Sequence, residues 1–305
     1  HYPRQVFESW YLLDANDTVA ERLRRAGYRT EAVTDGGYVS SEFGLAQGFG
    51  RFVEMVDPGT GDESIKDLPE VLAEARADIE ADDGRPLFLF VQTYRVHWPY
   101  VGGSAEEGLT ASAEAEALLA DHAKEAPALE HDEICRFTPS DQLLAIARKL
   151  RTFYDAGVKE LDRELGAFVA ELRARRFLDS GYLLFTSDHG EAFLEHGGLQ
   201  HTLPPHEEQV RVPLVLLGPG VPSARSDRSV SLLDVTPTLA ALAGLERDAS
   251  WSGRSLLLAP DQPGDRLLFA FTDSDDGSSA FVLEGARKVL LVPGEAQGVA
   301  PITAA

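Results

Sequence analysis

Tyr182, Leu183, Leu184 and Phe185 run straight into Thr186, Ser187, Asp188, His189 and Gly190. An unbroken apolar run with no polar face reads as a strand buried on both sides, and such strands belong inside largely parallel sheets covered by helices. In open α/β sheets, ligands bind at the carboxyl ends of the strands. The acid and the imidazole delivered at this end admit two readings. They are ligands for one divalent metal, a hard oxygen beside a neutral nitrogen, or an Asp capping the next helix with a surface His beside it.

The rest of the chain supplies the elements such a sheet needs. Residues 17–27 read as a helix capped by Asp17 or Thr18 and ended by Gly27. Residues 28–34 read as a strand, followed by a turn at Asp35, Gly36 and Gly37. Residues 68–80 have helical spacing of Leu, Val and Ala. Residues 86–91 form a second continuous apolar strand, 141–175 a long amphipathic helix, and 213–217 another apolar strand. Residues 232–244 predict a helix started or kinked by Pro237 and ended by Gly244.

Beyond Gly244 the pattern changes. Short runs at 267–271, 280–283 and 288–292, separated by turn residues, predict a small antiparallel sheet. The expected architecture is α/β: a largely parallel sheet with helices on both faces in residues 1–244, and a small subdomain in residues 245–305. Residues 102–139, rich in Ala and Glu, read as an inserted surface segment, partly helical.

Charge narrows the partners. The chain has 50 acidic residues against 28 basic ones, a net charge of −22 in 305 residues. That disfavours nucleic acid, which needs a basic footprint, and it disfavours anionic lipid. The charge reads as a solvated acidic surface, so an anionic substrate needs a local positive pocket, which histidines and a metal can supply. The single cysteine, Cys135, excludes an intrachain disulfide, and no apolar run approaches the length of a membrane span.

Histidines mark the strand ends. His97 follows the apolar strand at 86–91, and His196 and His201 lie in the loop after His189. Four of the eight histidines are thus expected in loops above one sheet edge, with Asp188 among them.

In order and spacing the chain resembles the sulfatase family of the alkaline-phosphatase superfamily. Residues 18–49, 86–100, 182–220 and 231–245 carry the likeness. The most specific part is Ser187, Asp188, His189, Gly190 and Glu191, then Glu195, His196 and Gly197, then His201, then residues 207–214. The resemblance implies an alkaline-phosphatase-like sheet. It implies that Asp188 and His189 are the second pair of metal ligands, for calcium first, with manganese or magnesium as alternatives. His97, in a His-x-Pro-Tyr motif with Pro99 and Tyr100, matches a contact to the sulfate ester. His201 matches a position that binds the ester and protonates the leaving oxygen. The chemistry agrees, because such an ester needs positive charge on its oxygens and a proton for the departing alcohol.

The sequence departs from that pattern in places. The family's upstream strand with paired aspartates, and its nucleophile in a Cys/Ser-x-Pro-x-Arg motif, have no match, so no nucleophile is assigned in this chain. The expectation is a fragment beginning just downstream of them, with its tail cut short near Ala305. Cys135 has the wrong spacing for the nucleophile and reads as incidental. Pro204, Pro205 and His206 replace the usual turn residues, and His206 reads as a surface residue. The reading is a metal-dependent hydrolase of sulfuric esters, acting on a small-molecule or glycan sulfate, inactive as the fragment. Its alternatives are a phosphodiester or phosphonate hydrolase, a phosphoryl-group transferase, or a non-catalytic binding protein with the same fold. A periplasmic or extracellular location fits the resemblance.

Overall fold

The computed structural model describes residues 11–55, 68–98, 100, 139–201, 205–258, 266–274, 277–285, 287–292, 295–296 and 300–301. Cys135 and nearly all of the Ala- and Glu-rich segment lie outside the described residues. The chain divides into two compact units. The first comprises described residues within 1–109, 154–170 and 239–246, and the second those within 110–153, 171–238 and 247–305.

In the first unit, helix α1 (Val19–Arg25) starts at a capping box. Thr18 Oγ1 accepts from Glu21 N at 3.1 Å, and the Glu21 carboxylate accepts from Thr18 N at 2.8 Å. Two donors left over by helix geometry are thereby satisfied. The strands β1 (Arg29–Thr34), β2 (Arg51–Glu54) and β3 (Leu87–Val91) form a parallel sheet in the order β2-β1-β3, and helix α2 (Leu68–Glu80) packs against β1 and β3. The central strand is β1, buried from Thr30 to Thr34 although only Ala32 and Val33 are apolar. Its hydroxyls find local carbonyls: Thr30 Oγ1 donates to Gly48 O at 2.8 Å and Thr34 Oγ1 to Val39 O at 2.9 Å. The apolar β3 lies at the end of this sheet's strand order, with Phe90 exposed.

Helix α3 (Asp141–Ala174) opens on Ser140, whose Oγ accepts from Leu143 N at 3.2 Å. Residues 154–170 of this helix belong to the first unit. In the second unit, Leu143 and Ala147 of α3 form a small core with Leu194, against which Phe193 and Leu199 pack.

That unit continues with β4 (Leu183–Thr186), the short β5 (Ala192–Phe193) and β6 (Leu199–Gln200), the one-turn α4 (Glu207–Val210) and β7 (Leu214–Leu217). Here the structure refines the sequence reading. The strand β4 pairs with β7 in antiparallel fashion, Phe185 opposite Val215, and its residues are only partly buried. A parallel return needs a crossover connection, usually a helix. The segment between β4 and β7 holds a two-residue-strand hairpin and the single turn of α4 instead. Helix α5 (Val235–Leu242) follows a 3-10 turn at Leu232–Asp234.

The expected C-terminal antiparallel sheet is present as β8 (Leu267–Ser274), β9 (Gly277–Glu284) and β10 (Arg287–Val292), with β9 in the middle. Among the described residues, no helix is long and apolar enough to cross a membrane.

Candidate active site

The end of β4 is built as a tight turn. Asp188 Oδ1 accepts from His189 N at 2.9 Å, and Ser187 Oγ donates to His189 O at 2.7 Å. Gly190 continues the turn, and its N–H donates to Gln209 O at 2.7 Å. A Cβ at Gly190 would lie 2.1 Å from the Glu208 carbonyl oxygen, so only glycine fits against that backbone.

The turn leaves two donor atoms facing outward together. His189 Nδ1 lies 2.8 Å from Gly190 O. A carbonyl only accepts, so Nδ1 carries the proton and the neutral ring keeps its lone pair on Nε2. That nitrogen lies 3.8 Å from Asp188 Oδ2, and the Asp188 side chain is 79% exposed. An anionic oxygen and a bare imidazole nitrogen at this separation fit a divalent cation as two of its ligands. Among the described residues, no group of three or more His, Cys, Asp or Glu side chains gathers as a metal cage.

His201 stands beside them. Its ring centroid lies 4.2 Å from that of His189, with the planes tilted by 31°. Behind it, Glu191 Oε1 lies 3.4 Å from His201 Nδ1, and the Glu191 side chain is only 4% exposed. The Glu191 carboxylate raises His201 above the usual imidazole range; burial opposes the rise, and the charge of Asp188 adds to it. The proton on Nδ1 faces Glu191, so the acid proton of the imidazolium sits on Nε2.

A second histidine pair was not foreseen. The rings of His196 and His206 stack at 4.0 Å with 4° between planes, and His196 Nδ1 lies 2.9 Å from Glu208 Oε1. His206 Nε2 is buried without a hydrogen bond. The expectation of a plain surface residue at His206 is therefore corrected. Burial first, then the charges of His196 and Lys288, push its pKa down to about 4. Nothing in the spacing of the two histidines signals the stack.

His97 belongs to the first unit. Its Nδ1 lies 2.7 Å from Trp98 O, so that nitrogen too carries the proton. Its backbone N–H donates to Tyr94 O at 2.8 Å, and its ring meets that of Tyr94 edge-on at 5.2 Å. Just beyond β1, Asp35 is 1% exposed and accepts from Thr93 Oγ1 at 2.8 Å and Tyr94 N at 2.6 Å. Burial pushes the Asp35 carboxyl up, against the pull of those two donors and of Arg95. Sequence reading placed Asp35 in a turn and gave it no role. The signal available was its place at the end of the strand beside β3. Arg95, also buried, pairs with Glu160 of α3.

Comparison with known proteins adds to this geometry. Residues 2–245 match the family model described as Sulfatase. The chain is 40% identical over 111 residues to arylsulfatase K of Danio rerio, covering 36% of this chain and 21% of the relative. It is 38% identical over 120 residues to the choline-sulfatase of Rhizobium meliloti (strain 1021), covering 39% of this chain and 23% of the relative. The matched segment thus spans only about a fifth of these curated relatives, by the 21% and 23% shares. Among solved structures, a protein in complex with its substrate D-glucosamine-2-N,6-O-disulfate superposes with a TM-score of 0.65 at 15% identity, over 95% of this chain and 76% of its own. The phosphonate monoester hydrolase of Silicibacter pomeroyi superposes at 0.67 with 16% identity, over 95% of this chain and 74% of its own. At such identities these two superpositions establish the fold alone.

Proposed function

This chain belongs to the sulfatase family, and on that premise we propose that it is the part of a metal-dependent sulfuric-ester hydrolase that holds one face of the metal and delivers a proton to the leaving group. The observation that carries this reading is the trio of Asp188, His189 and His201, with His201 backed by the buried Glu191. Hydrolysis of a sulfate ester breaks an S–O bond, and the alcohol oxygen that departs must gain a proton. His201 Nε2 donates it, and the buried Glu191 carboxylate, 3.4 Å from Nδ1, favours the charged ring this needs. A neutral His189 with its lone pair on Nε2 is the form that binds metal.

Asp188 and His189 would hold a divalent cation, calcium by resemblance and manganese or magnesium by the same donor set, which would supply positive charge beside the ester oxygens. For His97, within the first unit, the resemblance supports an ester contact through Nε2, with Nδ1 tied to Trp98 O. A small-molecule or glycan sulfate is the proposed substrate. The names of the relatives support it: one is called a choline-sulfatase and one structure holds a glucosamine disulfate.

The second reading is a phosphonate or phosphate ester hydrolase, which the phosphonate monoester hydrolase fold match favours. Turnover of an aryl sulfate and the matching aryl phosphonate by the full-length protein separates the two. We expect a higher kcat/KM for the sulfate. A clear preference for the phosphonate would move the assignment to the second reading.

A further inference from the structure

We infer that Asp35 is the positioning residue for His97, fixing the turn that carries this imidazole without touching the substrate itself; the role rests on the ester contact proposed for His97. Asp35 sits immediately past the central strand β1, 1% exposed, and its backbone and carboxylate together engage three consecutive residues beyond β3. Its backbone N–H donates to Gln92 Oε1 at 3.1 Å, and its Oδ2 accepts from both Thr93 Oγ1 at 2.8 Å and Tyr94 N at 2.6 Å. From there the bonds run on without a gap. Thr93 Oγ1 accepts from Arg95 N at 3.1 Å, Tyr94 O accepts from His97 N at 2.8 Å, and His97 O accepts from Tyr100 N at 3.0 Å.

The same carboxylate also orients the ring that faces His97. Tyr94 is pinned at its backbone by Asp35 and at its hydroxyl by Tyr38 N, 3.2 Å away. A Cβ at Gly37 would lie 3.0 Å from the Tyr94 ring, which also meets the His97 ring edge-on at 5.2 Å. Arg95, paired with Glu160, anchors the turn from α3. A buried carboxylate that makes two short bonds with one oxygen, both to the loop bearing a proposed ester contact, is placed as outer-shell groups are that set the orientation of a working side chain. Asp35 Oδ1 makes no hydrogen bond among the described residues. An Asn at this position keeps the acceptor that binds Thr93 and Tyr94, gives up the charge and sets an NH2 where Oδ1 makes no hydrogen bond.

The test compares Asp35→Ala with Asp35→Asn in the full-length protein, reading ester turnover and the His97 ring resonances by 1H–15N NMR, assigned with His97→Gln. Loss of positioning by Asp35→Ala is expected to lower kcat about 100-fold, with KM changed far less, because an ångström of misplacement costs that much. The His97 resonances should shift or broaden in Asp35→Ala and stay at the wild-type positions in Asp35→Asn, whose kcat stays within a few fold. A folded Asp35→Ala with wild-type kcat and wild-type His97 signals overturns the proposal, and so does an Asp35→Asn as impaired as Asp35→Ala, which would point to the charge. If Asp35→Ala does not fold, Thr93→Val removes one of the two donors. A smaller displacement of the His97 signals is then expected, and unchanged signals overturn the role. If the wild-type protein turns over no ester, the functional reading falls by itself, and the ring resonances still decide whether Asp35 positions His97.

Discussion

At His206 a buried ring nitrogen, Nε2, makes no hydrogen bond, and the ring lies flat on that of His196. Its pKa, pushed down to about 4 from an ordinary value near 6.5, ties pH to stability. Between those two values the unfolded chain binds a proton that the folded chain refuses. Stability is therefore retained above about pH 6.5, falls as pH drops towards 4, and changes no further from this group below that. His206→Phe keeps a flat ring on His196 and removes both the titration and the unpaired nitrogen. The drop in urea midpoint between neutral pH and pH 5 should be smaller in His206→Phe than in the wild type. An equal drop in both would show that His206 is not the group responsible. Gly190, in the same unit, illustrates how far a single residue can be read from sequence. Gly190 is not among the residues with positive φ, so backbone freedom does not explain it. It is needed because the Glu208 carbonyl comes within 2.1 Å of where a Cβ would be, a tertiary contact that no local pattern encodes.

Among the elements, those with a strong period or a clear cap were legible. The helix at 68–80 was read to its bounds, and α3 and the three long C-terminal strands to within a few residues, because periodicity and turn chemistry are local. Burial was not legible in the same way. The apolar β3 and β4 looked like central strands, but in the first unit the center is β1, where Arg29 and Glu31 pair with each other and two threonines bond to nearby carbonyls. Polar residues hide there because each finds a partner: Glu31 in Arg29, Thr34 in the Val39 carbonyl and Thr30 in the Gly48 carbonyl. The start of α5 depends on the same kind of partnership. Asp234, 0% exposed, accepts from Arg266 Nη1 and Nη2 at 2.8 and 2.7 Å, from Arg254 N at 2.8 Å and from Ser231 N at 3.0 Å. Burial alone would raise its carboxyl, but Arg266 and the backbone donors outweigh it and hold the pKa below the ordinary value. Its stabilising effect is thus present at neutral pH and is lost as pH falls through the acid range. Asp234→Ala strands the partly buried Arg266 and should lower the unfolding free energy by about 3–5 kcal/mol in urea titration. A loss below about 1 kcal/mol would mean that Arg266 finds another partner or water, as exposed pairs do.

For the molecule as a whole, a net charge of −22 sets the problem that its site must solve. An acidic protein attracts an anionic ester only where positive charge is concentrated, and the histidines at 189 and 201, with a cation between Asp188 and His189, are the proposed source of it. The alternation of strand and helix made the fold class readable from the sequence, and the Asp-His-Gly-Glu run led to the family. The antiparallel return of β7 and the His196–His206 stack were not readable, since both depend on how a loop folds back. The central claim is that Asp188 and His189 hold a catalytically required divalent cation in a sulfuric-ester hydrolase. The most direct test is hydrolysis of an aryl sulfate by the full-length protein, wild type and Asp188→Ala, after chelation and after calcium is restored. The account predicts that wild-type turnover collapses on chelation and returns with calcium. It also predicts that Asp188→Ala stays at least about 100-fold down throughout, since even outer-shell changes around a metal cost up to that much. Wild-type turnover indifferent to chelation, together with an Asp188→Ala that hydrolyses the ester as well as the wild type, would contradict it.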